Sequence, residues 1–216
     1  MSEKKIWTQA AIDVIDIDLA KRIAKLAMDS GSEWLEIGTP LLYTYGHSVI
    51  KKIRKYVGND VVLVPDYKTP LSILCAKQAK EFGADYLLVS ASYSDMLNKY
   101  NIETCLEERI TPIIDMMSIR ADDAQLYVDR CAEMGAQYFF TRHYMSYTDK
   151  TGNEVKVDNL KLKMPEGTKL GITDDEFDDA VYCAANGADW IIFGRVLWNP
   201  EEESCRKWIN AIHNAR

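Results

Sequence analysis

Short apolar runs recur along this chain at a fixed interval. The segments SGSEWLEIG, FGADYLLVS, MGAQYFFTR and NGADWIIFG share one order: a glycine, a small residue, a polar residue, an aromatic residue and an apolar run. Their glycines, Gly31, Gly83, Gly135 and Gly187, are 52 residues apart each time. Glycine is typical of the residue that ends a helix, and the apolar run that follows predicts a strand. A constant spacing of this kind indicates an internal repeat.

Four more apolar runs, TQAAIDV, DVVLVPD, TPIIDMM and TKLGIT, lie between these segments. Most of the connecting segments have apolar residues three or four positions apart, as at Leu19, Ile23 and Leu26, which predicts helices. Apolar strands joined by helices indicate a parallel sheet, so the expected fold is a closed (β/α)8 TIM barrel with a four-fold internal repeat. An open doubly wound sheet is the alternative, but its sequence need not repeat in quarters.

Composition narrows the class of protein. The 216 residues are 47% hydrophobic and contain no Pro/Gly/Ser-rich linker, which predicts a single barrel domain over residues 1–216. The net charge is -7 and the basic residues are scattered, so no nucleic-acid partner is expected. The start lacks the apolar core of a signal peptide, and no apolar run reaches the roughly 20 residues needed to cross a bilayer. We therefore expect a cytoplasmic protein without membrane contact.

Five cysteines occur without any C-x-x-C pair, and most of them fall in helical segments among apolar neighbours. This pattern favours reduced packing residues, and no zinc site is expected.

Candidate chemistry lies where the predicted strands end, because the active sites of such barrels lie at the carboxyl ends of the strands. The residues at these ends are Asp13, Glu36, Asp66 with Lys68, Ser90 with Ser92, Asp115, Arg142 with His143, Gly171 with Thr173, and Gly194 with Arg195. A strand-end aspartate such as Asp13 or Asp115 can instead cap the following helix.

Glu36, Asp66 and Lys68 point most directly to catalysis. Glu36 lies between Leu35 and Ile37, where a buried carboxylate is costly unless it meets a cation. Asp66 and Lys68 are two residues apart, so strand alternation places them on one face. The functional interpretation is that Glu36 and Asp66 bind Mg²⁺ while Lys68 acts as an acid, a base or an electrostatic stabiliser. A structural Asp66–Lys68 ion pair is the alternative.

The last two predicted strands carry features of a phosphate site. Gly171 precedes a helix start expected at Thr173, and Gly194 is followed by Arg195. Backbone amides after strands 7 and 8 together with an arginine form the common phosphate site of these barrels. Alternatively, the glycines only ease turns and Arg195 is an ordinary surface residue.

Arg142 and His143 end the sixth predicted strand. A histidine that faces the barrel mouth could transfer protons near neutral pH, and a structural hydrogen bond is the alternative. The following segment, SYTDKTGNEVKVDNLKLKMPEG, is polar and has no clean amphipathic helix. It is either a mobile lid or an irregular replacement for the sixth helix.

The stretches AAIDVIDIDLAKRI, LEIGTPLL, PDYKT, IIDMMSI and FGRVLW resemble the orotidine 5′-monophosphate decarboxylase superfamily over nearly the whole chain. They are most similar to the branch that contains 3-hexulose-6-phosphate synthase and 3-keto-L-gulonate-6-phosphate decarboxylase. The resemblance implies that Glu36 and Asp66 hold Mg²⁺, that Lys68 is the catalytic lysine and that Asp13 hydrogen-bonds substrate hydroxyls.

The same resemblance assigns Gly171, Gly194 and Arg195 to the substrate phosphate, and Asp115 and Arg142 belong to the expected substrate-binding set. It also implies a homodimer and a metal-stabilised enediolate of a phosphorylated ketose.

Three departures separate this chain from the family pattern. Leu71 replaces the last aspartate of Asp-x-Lys-x-x-Asp, which in the family reaches the partner's active site. Leu170 replaces one of two paired glycines, and strand 6 ends in Arg-His-Tyr.

We therefore expect a divergent lyase that is most like the synthase. The alternatives are a decarboxylase, a phosphosugar isomerase or epimerase with Lys68 and His143 moving protons, and a non-catalytic phosphosugar-binding protein.

Overall fold

A computed structural model describes residues 5–67, 73–198 and 202–215. Eight parallel strands form a closed barrel in the ring order β1-β10-β9-β6-β5-β4-β3-β2. The barrel strands are β1 (Trp7–Ile12), β2 (Trp34–Ile37), β3 (Val62–Tyr67), β4 (Tyr86–Ser90), β5 (Thr111–Asp115), β6 (Tyr138–Arg142), β9 (Lys169–Thr173) and β10 (Trp190–Phe193). Strands β7 (Tyr144–Thr148) and β8 (Glu154–Asp158) pair separately as an antiparallel hairpin. The expected (β/α)8 TIM barrel is confirmed.

Helices surround the barrel. They are α1 (Ile17–Asp29), α2 (Thr39–Tyr45), α3 (Ser48–Val57), α4 (Ile73–Glu81), α5 (Asp95–Glu107), α6 (Ala124–Glu133), α7 (Phe177–Asn186) and α8 (Glu202–His213). The four repeated glycines all have positive φ, between 97° and 140°, at the joints that lead from a helix to the next strand. Glycine adopts this conformation without steric cost, which explains its recurrence. No helix among the described residues is long and apolar enough to cross a membrane.

Alternate strand residues point into the barrel or out towards the helices. The outward set, with the apolar faces of the helices, forms the largest core cluster, and each fully buried isoleucine or leucine contributes about 1.5–3 kcal/mol. The inward set includes a cluster of rings centred on Trp34, whose ring centroid lies 4.9 Å from that of Tyr86 and 5.4 Å from that of Trp190. This aromatic cluster fills the barrel below the carboxyl ends of the strands.

Gly171 provides room for this aromatic cluster. A Cβ atom placed on Gly171 would lie 2.2 Å from Cε2 of Trp190, which is a severe clash. Gly171 is buried within β9, two residues before the strand ends at Thr173. Packing against Trp190 therefore explains this glycine, whereas the sequence favoured a phosphate-binding turn.

Two connections differ from the expected pattern. The hairpin β7–β8, a short 3-10 turn and residues 162–168 replace a sixth crossover helix, so the irregular replacement is what the structure contains. The helix start expected at Thr173 is wrong, because α7 begins at Phe177. Between them, Asp174 accepts a hydrogen bond from the Glu176 amide (2.9 Å), which favours a turn over a continued helix.

Candidate active site

Glu36 and Asp66 lie on adjacent strands and point into the barrel. Each is only 5% exposed. The Gln9 side chain donates to Glu36 Oε2 (2.6 Å), and the Thr39 hydroxyl donates to Asp66 Oδ2 (2.8 Å). These hydrogen bonds fix the direction of both carboxylates. Buried carboxylates on adjacent strands are hard oxygen donors of the kind that Mg²⁺ prefers.

Asp13 extends the acidic group to the loop that follows β1. It is exposed, and a Cβ atom on Gly38 would lie 2.1 Å from Asp13 Oδ1. A Cβ atom on Gly194 would lie 3.7 Å from Asp13 Oδ2. The Asp13 carboxylate therefore lies at the rim of the mouth between the loops after β2 and β10, and the absence of a side chain at Gly38 makes that position possible.

Asp115 ends β5, points inward and is 1% exposed. Its Oδ1 accepts a hydrogen bond from the Met117 amide (2.8 Å), so it also shapes the loop after the strand. On the neighbouring strand, Ser90 is paired in register with Asp115 and its hydroxyl lies 2.8 Å from that of Ser92. Asp115 thus has both the position of a site residue and a local structural contact.

Two arginines from different loops line one cavity of ≈ 220 Å³ at the carboxyl ends of β6, β9 and β10. Arg142 ends β6 and Arg195 follows β10, and both are exposed. The other lining residues are His143, Tyr144, Thr173, Asp174, Asp175 and Glu176. The structure therefore brings together the arginines that the sequence placed at separate strand ends, and adds three acids from the loop after β9.

The amides after β10 form an anion-binding site that a side chain of the same chain occupies. The backbone N–H groups of Gly194 and Arg195 both donate to Asp175 Oδ1, at 3.1 and 2.9 Å. The Arg195 guanidinium lies 3.6 Å from Asp175 Oδ2 and 3.5 Å from Glu176 Oε1. These groups bind an oxyanion in the geometry expected for phosphate, but the oxyanion is Asp175.

His143 lies on the opposite side of the β6 chain from Arg142. It is 2% exposed, and its ring stacks on Tyr144 (3.8 Å between centroids) and on Tyr182 of α7 (5.6 Å). The imidazole therefore packs between the barrel and α7, beside the arginine-lined cavity, and not in the orientation into the mouth that the sequence suggested. Its role in proton transfer stays a prediction.

Lys68, the predicted catalytic lysine, and Leu71 lie outside the described residues. Sequence reasoning did not identify Gln9, Thr39 or Asp175, although each left a signal. Gln9 is a polar residue within an apolar strand, and Thr39 follows the strand that carries Glu36. Asp175 belongs to an acidic run, Asp174 to Glu176, directly after β9.

No family model matches the chain. A bifunctional Fae/Hps enzyme from Methanosphaerula palustris is 24% identical over 197 residues, which are 88% of this chain and 48% of that enzyme. The chain therefore spans about half the length of that relative. A 3-hexulose-6-phosphate synthase from Staphylococcus aureus is 28% identical over 197 residues, which cover 90% of this chain and 91% of the synthase.

Solved structures have the same fold. The 3-hexulose-6-phosphate synthase from Salmonella typhimurium superposes with a TM-score of 0.77 at 19% identity, over 96% of this chain and 100% of the synthase. KGPDC from Streptococcus mutans gives 0.78 at 15% identity, over 96% and 97%. Orotidine 5′-phosphate decarboxylase from Pyrococcus horikoshii gives 0.75 at 18% identity, over 95% and 98%. The chain is a divergent member of the orotidine 5′-monophosphate decarboxylase superfamily, in the branch of 3-hexulose-6-phosphate synthase and 3-keto-L-gulonate-6-phosphate decarboxylase.

Proposed function

We propose that this carbon–carbon lyase acts on a phosphorylated ketose through an enediolate, in the manner of 3-hexulose-6-phosphate synthase, with ribulose 5-phosphate and formaldehyde as the reacting pair. The observation that carries the proposal is the pair of buried, inward-pointing carboxylates of Glu36 and Asp66, each oriented by a neighbouring side chain. The names of the similar synthases and the pentose 5-phosphate bound by the S. mutans enzyme support the substrate class.

The chemistry of Glu36 and Asp66 fits Mg²⁺, since both offer hard carboxylate oxygens from adjacent strands. When bound, Mg²⁺ supplies positive charge that stabilises the negative charge of an enediolate. Gln9 holds the Glu36 carboxylate through Oε2, and Thr39 holds Asp66 through Oδ2. These two hydrogen bonds keep the carboxylates in place before a ligand enters, which lowers the cost of reorganisation.

Lys68 is the proposed acid or base. It follows Asp66 by two residues, so strand alternation directs both side chains to the same side of the chain. Asp13 at the rim accepts hydrogen bonds from substrate hydroxyls, and Asp115, which points inward from β5, contributes to the same binding surface. His143 has no proton-transfer role in this proposal, because its ring packs against Tyr182 of α7.

The substrate phosphate binds at the Gly194 and Arg195 amides and takes the place of Asp175. The two N–H groups already hold one carboxylate oxygen at 3.1 and 2.9 Å, which supports their capacity for an oxyanion. Arg195 and Arg142 supply positive charge around the same cavity. Asp175 must turn away before phosphate enters, so the free energy of breaking its hydrogen bonds reduces the apparent affinity for phosphate.

The test is aldol addition by the purified protein, with ribulose 5-phosphate and formaldehyde, with and without Mg²⁺. We expect ketose loss that requires Mg²⁺ and falls by at least about 100-fold in Lys68→Ala and Glu36→Gln, as is common when a charged catalytic group is removed. The control is Glu81→Gln, which removes the same charge from an exposed position on α4 and should react like the wild type.

Other outcomes would favour the alternative functions. Loss of carbon dioxide from 3-keto-L-gulonate 6-phosphate, without aldol addition, would identify a decarboxylase. Deuterium entering the ketose from solvent without a one-carbon product would identify an isomerase or epimerase. Ligand binding that depends on Arg195 but not on Lys68, with no turnover, would indicate a phosphosugar-binding protein.

We also propose a homodimer through α4 and α5. Four large apolar side chains are exposed there: Ile73 (44%), Leu74 (73%), Met96 (80%) and Tyr100 (45%). The two helices pack beside each other, so these side chains form a patch. Exposed apolar patches of this kind are typical of protein interfaces. The family resemblance supports a dimer at this part of the barrel, since Leu71 directly precedes α4.

A further inference from the structure

A buried cluster of three metal-binding side chains lies between the barrel wall and α7. One ring nitrogen of His143, a carboxylate oxygen of Asp174 and the Sγ atom of Cys183 all lie within 4.8 Å of one another. The three residues come from three parts of the chain: the junction of β6 with β7, the loop after β9, and α7. The fold therefore brings together an imidazole, a carboxylate and a thiol that the sequence keeps apart.

His143 provides an independent reason to expect a ligand here. The side chain is 2% exposed, yet neither Nδ1 nor Nε2 has a hydrogen-bond partner. The nearest acid is Asp158, whose Oδ1 lies 3.5 Å from Nε2. Buried polar atoms almost always have partners, so a buried imidazole with two unsatisfied nitrogens requires an explanation. A metal ion bound by one nitrogen would supply it.

We propose that His143, Asp174 and Cys183 bind one borderline-soft divalent cation of the Zn²⁺ class, at a site separate from the Glu36–Asp66 pair. Imidazole and thiolate are ligands that Zn²⁺ favours, whereas Mg²⁺ prefers oxygen ligands. Three protein ligands leave a fourth position for water. Asp158, next to the His143 ring, is placed to orient the imidazole as carboxylates do behind many metal-binding histidines.

The charges around Cys183 fit a cation. Burial first, and then the carboxylates of Asp174, Asp179 and Asp158, raise the pKa of the Cys183 thiol to about 12. Burial and the Asp179 carboxylate raise the pKa of Asp174 as well. A bound divalent cation reverses this balance and deprotonates the coordinating thiol. Binding then forms a metal–sulfur bond and releases the Cys183 proton to the buffer.

The position of the cluster suggests what the ion does. His143 and Asp174 also line the arginine-lined cavity, which gives the ion a path from solvent. The ion would join the start of the β7–β8 hairpin to the loop that carries Asp175 and to α7. In this chain the hairpin replaces a packed helix, so a metal link would compensate for the missing packing of that helix.

The experiment titrates the full-length protein, stripped with a chelator, with Zn²⁺ and with Co²⁺. We expect one equivalent of each to bind, a thiolate-to-cobalt charge-transfer band, and proton release that calorimetry in two buffers detects. Cys183→Ser should lose the band and bind Zn²⁺ at least about 10- to 100-fold more weakly, the range that changes behind the ligands alone can cause. Cys131→Ser, which alters another buried helical thiol, should bind as the wild type does.

Three results would overturn the proposal: no saturable Zn²⁺ binding by the wild type, an unchanged band in Cys183→Ser, or binding that is lost in Glu36→Gln instead. Circular dichroism of the metal-free variants checks that each is folded. If the serine variant does not fold, His143→Gln carries the test with the same readouts. Because metal binding and not turnover is measured, the result is independent of the proposed lyase reaction.

Discussion

At the scale of single residues, Asp175 shows how a side chain can occupy a site prepared for a ligand. Its Oδ1 accepts hydrogen bonds from two successive backbone amides, those of Gly194 and Arg195. Its Oδ2 lies 3.6 Å from the Arg195 guanidinium. Charge-assisted hydrogen bonds of this kind are stronger than neutral ones. The Asp175 carboxylate therefore competes with any phosphate that enters.

Asp175→Asn should increase the affinity for inorganic phosphate by about 10-fold, equivalent to about 1.4 kcal/mol, because the amide carries no charge to compete for the Gly194 and Arg195 amides. Isothermal titration calorimetry measures the change. Asp178→Asn, in the exposed first turn of α7, removes the same charge without touching these amides and should have a smaller effect. Equal gains in the two variants would show that only net charge matters.

At the scale of elements, Glu33 joins the first two strands to the last helix at the amino-terminal end of the barrel. It accepts hydrogen bonds from the amide and hydroxyl of Thr8, at 3.0 and 3.1 Å, and lies 3.2 Å from His213 Nε2. Lys5 Nζ lies 2.7 Å from its other oxygen. Burial alone would raise the pKa of Glu33, but the hydrogen bonds from His213, Lys5 and Thr8 outweigh burial and lower it to about 2.

This lowered pKa makes stability depend on pH. Because the folded protein holds the Glu33 proton more weakly than the unfolded chain does, the stabilisation is complete above pH ~4.5 and is lost as the pH falls towards about 2. Glu33→Gln should lower the free energy of unfolding at pH 7 by about 2 kcal/mol, after a discount for partial exposure of the side chain.

Urea unfolding at several pH values checks this expectation. The difference between wild type and Glu33→Gln should narrow steadily below pH ~4.5. Glu81→Gln, at an exposed position, should show almost no difference at any pH. A gap between wild type and Glu33→Gln that stays constant from pH 7 to 3 would mean that packing, and not ionisation, accounts for the role of Glu33.

The β7–β8 hairpin is an element that the sequence only partly predicted. The polar composition correctly excluded an amphipathic helix. The strands themselves alternate intermediate and exposed residues, and Asp149 Oδ1 accepts hydrogen bonds from the Thr151 and Asn153 amides in the turn. These signals are local and were visible in TDKTGN, but alternation without a buried face is weak, so the sequence alone did not distinguish a hairpin from an irregular loop.

At the scale of the whole molecule, the exposed apolar patch on α4 and α5 supports the proposed dimer. Leu74→Asp and Met96→Asp place charges in the centre of the patch, where a dimer would bury them without partners. We expect the wild type to sediment as a dimer at micromolar concentration and both variants to dissociate at least about 100-fold more readily, since an unpaired buried charge costs about 3 kcal/mol or more.

Leu126→Asp, which alters a 43% exposed leucine on α6, is the matched control and should leave the dimer intact. Circular dichroism excludes unfolding as the cause of dissociation. A monomeric wild type, or equal dissociation of all three variants, would contradict the proposed interface.

The sequence by itself determined the barrel and the inventory of its mouth. The 52-residue repeat and the apolar runs fix where strands and helices alternate, because burial and backbone conformation depend on local pattern. Only the tertiary structure decided which groups meet. Gly171 accommodates Trp190, Asp175 occupies the amides after β10, and His143 turns towards Cys183, because contacts between distant segments depend on strand register and loop path, which no local pattern encodes.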